Sequence, residues 1–136
     1  MAYLWVAIGG AVGSMGRYWL NGVITHHASD PAETFPLGTM VINITGSFLI
    51  GIFAALTVPE GRMDPQSRIF ATQFLMIGIC GGYTTFSSFS LQTLNLLRER
   101  EWYYAGMNMV LSVVLCMIAV WLGFMLGSLF SPTKGN

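Results

Sequence analysis

The sequence predicts an all-α integral membrane protein with four transmembrane helices, and three observations carry that reading. Hydrophobic residues make up 54% of the chain and charged residues 9%, with a mean hydropathy of +0.62; soluble domains carry about 25% charge. The few charges gather between four apolar runs, residues 3–24, 37–58, 69–97 and 102–130. Each run supplies the roughly 20 helical residues needed to cross a hydrocarbon core of about 30 Å. The connections between runs are short and leave no room for a soluble domain, so residues 1–136 read as a single membrane domain. Helices are expected at about 3–25, 37–58, 68–98 and 102–130.

The first run lacks a basic leader segment and its apolar stretch outruns that of a signal peptide, so it reads as a retained span. Its one ionic residue, Arg17, suits a polar vestibule that receives an anion, or a side chain that snorkels to the headgroups. Gly9 and Gly13, Gly10 and Ser14, Ser47 and Gly51, and Gly123 and Gly127 show the small-xxx-small spacing that lets helix backbones meet. We expect these faces to serve dimerisation. His26 and His27 are expected in the following connection beside Asp30 and Glu33, as part of a solvated turn rather than a metal site.

In the second run Thr39, Asn43 and Ser47 recur every fourth residue and so share one helix face, with Asn43 near mid-depth. The third run contains no Asp, Glu, Lys or Arg between residues 69 and 97, yet its middle reads Gly81-Gly82-Tyr83-Thr84-Thr85-Phe86-Ser87-Ser88-Phe89-Ser90. Such a segment should break the helix near the bilayer midplane, where free backbone groups are tolerated only against protein or a polar path. The glycine pair would supply backbone freedom, and the Thr84 and Thr85 hydroxyls could cap the restarted helix. In the fourth run Tyr104, Asn108, Ser112 and Cys116 form another stripe, which ends at Val120. Cys80 and Cys116 lie inside spans, fit no disulfide or metal pattern, and read as small apolar fillers.

These features also exclude functions. No carboxylate lies in any span, so neither catalysis nor ion-coupled exchange has an embedded acid, and the chain is not expected to be an enzyme. Zero net charge argues against nucleic acid as a partner. Lys and Arg are nearly balanced between the two sets of loops, with Arg62, Arg68 and Lys134 on one side and Arg98 and Arg100 on the other. The chain therefore states almost no preferred orientation. Two copies inserted in opposite senses would build an inverted repeat with a site at the midplane; a single weakly biased orientation is the plainer alternative.

The residues resemble those of a known family, the Fluc (CrcB-type) fluoride channels. The first helix is similar through Gly9-Gly10-Ala11-Val12-Gly13-Ser14-Met15-Gly16-Arg17. The second is similar through Gly38-Thr39-Met40-Val41-Ile42-Asn43 and Gly46, and the third through residues 81–90. The resemblance covers the whole chain. It implies an antiparallel, dual-topology homodimer in the cell's inner membrane, passive fluoride export through two pores, and a structural sodium ion at the dimer centre.

By the same resemblance, backbone carbonyls of Gly81 and Thr84 hold the sodium, while Phe86 and Phe89 offer ring edges to the fluoride ion. Asn43 contributes an amide donor, Ser87, Ser88 and Ser112 contribute hydroxyls, and Arg17 lies in the vestibule. Cys116 and Val120 stand where the family carries hydroxyl residues, which implies a drier half-pore. Outside the resemblance, a small dual-topology secondary transporter for another solute or a non-conducting subunit that needs a homologous partner are the competing readings.

Overall fold

The computed structural model describes residues 1–27, 35–58 and 63–130. All regular structure within them is helical: α1 (Ala2–His27), α2 (Leu37–Leu56), α3 (Pro65–Phe70), a wider π-helical segment (Ala71–Cys80), α4 (Gly81–Tyr83), α5 (Phe86–Arg98) and α6 (Trp102–Phe130). Among the described residues, three stretches are long and apolar enough to cross a membrane: Leu37–Leu56, Pro65–Arg98 and Trp102–Phe130. The 26-residue α1 has the length but is less apolar, since Ser14, Arg17, Asn21 and Thr25 interrupt it. The expected connection at His26 and His27 is corrected, because α1 continues through both residues. Asp30, Glu33, Arg62 and Lys134 lie outside the described residues.

Each helix end has a local cause. Asp64 caps α3, its carboxylate accepting from the Ser67 N–H at 3.1 Å, and Pro65 follows at the first helical position. Hydrogen bonding from the Ser67 hydroxyl, and secondarily from its N–H, holds the Asp64 carboxyl below its ordinary pKa. Helix α5 ends in a Schellman motif in which the Glu101 N–H bonds the Leu96 carbonyl at 2.9 Å and the Arg100 N–H bonds that of Leu97 at 3.2 Å. The residue forced into the left-handed region there is Arg100, at φ 66°, where glycine is usual.

Close backbone contact assembles the protomer. A Cβ on Gly9 would lie 2.9 Å from the Gly78 Cα, and one on Gly82 would lie 2.5 Å from the Gly10 carbonyl oxygen. Helix α1 therefore lies directly on the third span, and an edge-on cluster of Trp5 with Phe70 (4.8 Å) and Phe74 (6.1 Å) secures its start. Gly51, Gly123 and Gly127 similarly bring α2 against α6. The glycines expected to form dimer faces are thus used inside one protomer. Of the small residues noted for that role, the two serines, Ser14 and Ser47, face cavities.

Candidate functional site

The site begins where the third span breaks. Thr84 (φ −79°, ψ 156°) and Thr85 (φ −152°, ψ 108°) are both extended, and the helix restarts at Phe86. Gly81 remains helical at φ −65°, ψ −37°, and no glycine among the described residues has a positive φ. The glycine pair therefore does not make the break, contrary to expectation. Gly82 is needed for its approach to Gly10, and Gly81 is open, with no atom within 3.8 Å of its would-be Cβ except the Met76 carbonyl at that distance.

Thr85 and Asn43 make the break instead. The Thr85 hydroxyl oxygen accepts the Ser88 N–H at 3.2 Å and caps α5. From α2, Asn43 Oδ1 accepts the Thr85 N–H at 2.8 Å, while Asn43 Nδ2 donates to the Thr85 carbonyl at 3.2 Å. In an uninterrupted helix the Thr85 N–H would serve the Gly81 carbonyl and the Ser88 N–H the Thr84 carbonyl. Both donors are diverted, which deprives those two carbonyls of their helical partners. The Thr84 hydroxyl does not cap; it donates back to the Cys80 carbonyl at 2.9 Å.

Two cavities flank this point, and Thr85 lies in the wall of both. The first, of about 360 Å³, gathers Asn43, Gly81, Thr84, Phe86, Phe89, Ser112 and Cys116. Phe86 and Phe89 stand with ring centroids 5.3 Å apart at 46°, and Phe86 is 77% exposed on the isolated protomer. The second, of about 370 Å³, holds Arg17 and Ser88 together with Ser14, Asn21, Thr39 and Gln92. Ser87 lines neither cavity and is exposed, with its hydroxyl 3.2 Å from that of Thr85. Val120 also stays outside; its carbonyl packs beneath Gly51.

The hydroxyls have an order. Thr85 donates to the Ser88 oxygen at 3.0 Å, which leaves Ser87 to donate to Thr85. Behind the first cavity, buried Ser112 donates to Asn108 Oδ1 at 3.3 Å and Asn108 Nδ2 donates to Thr93 Oγ1 at 2.8 Å. Thr93 in turn donates to the Phe89 carbonyl at 2.8 Å, tying α6 to the restart of α5. Thr85, Gln92 and Thr93 escaped the site reading. Thr85, Ser88 and Gln92 do follow the i, i+3, i+7 spacing of one helix face, so a signal for two of them existed.

Fold and site define an all-helical membrane protein whose polar residues converge on an interrupted span, with aromatic rings and hydrogen-bond donors rather than acids lining the described cavities. Residues 4–124 match the family described as CrcB-like protein, Camphor Resistance (CrcB). The chain belongs to that family. It is 54% identical over 134 residues to a protein of Opitutus terrae named fluoride-specific ion channel FluC, a match covering 98% of each chain. Proteins of the same name from Methylocella silvestris and Rhodospirillum rubrum are 50% identical over 135 residues and 57% identical over 123 residues. Those matches cover 99% of each chain in the first case, and 90% of this chain and 92% of the relative in the second.

Proposed function

We propose that the chain is a fluoride channel, a passive conductor and not an enzyme, that lets the ion leave the cell across the inner membrane. The observation that carries this reading is similarity along nearly the whole chain to proteins named fluoride-specific ion channels. The geometry supports it. Two cavities abut at Thr85, the first mainly apolar and the second more polar; their donors are neutral amides and hydroxyls apart from Arg17, and weak multi-site ligation lets an ion both enter and leave. Phe86 and Phe89 present rings to the same space as Asn43 and Ser112. Cys116 in that wall places a thiol one turn beyond Ser112, consistent with a drier half-path.

The working unit we propose is an antiparallel homodimer of four-span protomers with two pores. Its support is the near balance of loop Lys and Arg and the openness of the Phe86 cavity on the single protomer. The Gly81 and Thr84 carbonyls, relieved of helical donors, fit a hard cation, and two copies would offer four oxygens to one sodium ion. Such an ion would neutralise converging carbonyl dipoles at low dielectric and hold the two protomers together. Fluoride efflux from liposomes containing the purified protein, read with a fluoride electrode, tests the proposal. Liposomes that retain their fluoride would overturn it.

A further inference from the structure

Four hydroxyls line the cavity that holds Phe86 and Phe89, those of Ser47, Thr84, Thr85 and Ser112. Three of them place their protons within the protomer. Thr84 donates to the Cys80 carbonyl at 2.9 Å, Thr85 to the Ser88 oxygen at 3.0 Å, and Ser112 to Asn108 Oδ1 at 3.3 Å. Ser47 is half-buried and makes no hydrogen bond to any described residue. A hydroxyl on a membrane helix ordinarily returns its proton to the carbonyl four residues back, as Thr45, Ser90, Thr93 and Ser128 do. The Ser47 hydroxyl stands open to the cavity instead. A donor left unmade away from bulk water is unfavourable, so the cavity's occupant is the group that takes this proton.

Ser47 lies one turn beyond Asn43 on the same face of α2, and both line this cavity. Asn43 Nδ2 spends one N–H on the Thr85 carbonyl at 3.2 Å and carries a second. We infer that Ser47 contacts the permeating ion, its hydroxyl and the second Asn43 N–H donating together to fluoride beside the Phe86 and Phe89 rings. Ser112, its proton held by Asn108, contributes wall and no donor. Two neutral donors four residues apart suit a small anion that must also leave, since neither carries a full charge that would trap it. This assignment rests on the fluoride-channel reading above. It adds to the ion's path a residue that the resemblance did not supply, and it moves the hydroxyl contact from α6 to α2.

The test compares the parent chain with Ser47→Ala, Ser47→Thr and Ser112→Ala. Efflux from liposomes is followed over a range of fluoride concentrations, with unfolding temperature and elution in detergent measured alongside. Ser47→Ala should unfold and elute as the parent does yet lose about tenfold in efflux at low fluoride, as the loss of one hydrogen bond to an ion implies. Ser47→Thr, which keeps a hydroxyl, should recover most of that loss. Ser112→Ala should instead lower the unfolding temperature, since it breaks the chain through Asn108 to Thr93, and should cost less efflux per folded protein. Efflux in Ser47→Ala equal to the parent at every concentration would overturn the inference, as would a loss that Ser47→Thr does not relieve. A loss accompanied by a lower unfolding temperature or altered elution would overturn it equally and assign the hydroxyl to packing. A larger efflux loss in Ser112→Ala at unchanged unfolding temperature would return the contact to Ser112. A parent chain that does not conduct would instead overturn the proposed function.

Discussion

The Asn43 amide satisfies both backbone polar groups of Thr85, a residue 42 positions away, with bonds of 2.8 and 3.2 Å. One side chain thus does for Thr85 what a neighbouring strand would do, and it permits an extended residue inside a membrane span. Asn43→Ala should strand a buried N–H and a carbonyl, lowering stability by about 1–2 kcal/mol and sharply reducing fluoride efflux. Asn43→Asp retains the acceptor for the N–H but turns a carboxylate against the Thr85 carbonyl, so it should perform no better than alanine. Unfolding in detergent and efflux from liposomes check both, and wild-type behaviour of Asn43→Ala would refute the clamp.

The aromatic pair separates pore from packing. Phe86 is largely exposed on the protomer while Phe89 is half-buried, so Phe86→Ile should leave protomer folding nearly intact. If the rings meet the ion with their edges, both Phe86→Ile and Phe89→Ile should abolish or greatly slow efflux while the proposed dimer still elutes as one species. Unimpaired flux in both well-folded variants would remove the rings from the ion path.

Neighbouring glycines should respond in opposite ways. A methyl on Gly82 would meet the Gly10 carbonyl and Cα at 2.5 and 2.9 Å, both backbone atoms that cannot turn aside. Gly82→Ala should therefore destabilise the protomer by more than 1 kcal/mol, an order-of-magnitude figure for overpacking. Gly81→Ala has space within the protomer and should fold. Its effect should appear instead as a raised sodium requirement for efflux or for dimer stability. Efflux driven by a sodium gradient alone, at zero fluoride gradient and zero voltage, would convert the proposed structural ion into a coupled one.

Arg100 occupies a left-handed position at φ 66° that glycine adopts without steric penalty. Arg100→Gly should stabilise the turn between α5 and α6 by up to about 1 kcal/mol. A melting temperature that falls would show that the Arg100 side chain makes a compensating contact in the assembled protein.

Orientation can be read directly. Single accessible cysteines introduced at residues 59–62 should react with impermeant reagents from both faces of one membrane preparation. Two or three lysines added to one set of loops should force one orientation and abolish efflux, and co-expression with the opposite bias should restore it. Labelling confined to one face in the unmodified protein would refute dual topology.

What the sequence determined by itself is the part that rests on composition and period. Apolar runs separated by charges dictate membrane-crossing helices, because lipid cannot satisfy an open backbone. The Thr39–Asn43–Ser47 stripe and the polar interruption after Cys80 likewise announce an unusual site. The tertiary structure decided the partners. Gly82 looked like the source of the break, but its helical backbone and its contact with Gly10 show that it serves packing, and the break belongs to Asn43 and Thr85. The small-xxx-small faces could equally have joined two chains or two helices of one; only their neighbours at Gly78, Phe48 and Val120 place them within the protomer. Gln92 gave no warning of its unpartnered oxygen, because whether an acceptor is satisfied depends on which donors the fold brings within reach. Local pattern sets whether a residue can be helical or buried; hydrogen bonds between residues far apart in sequence exist only once the helices have packed.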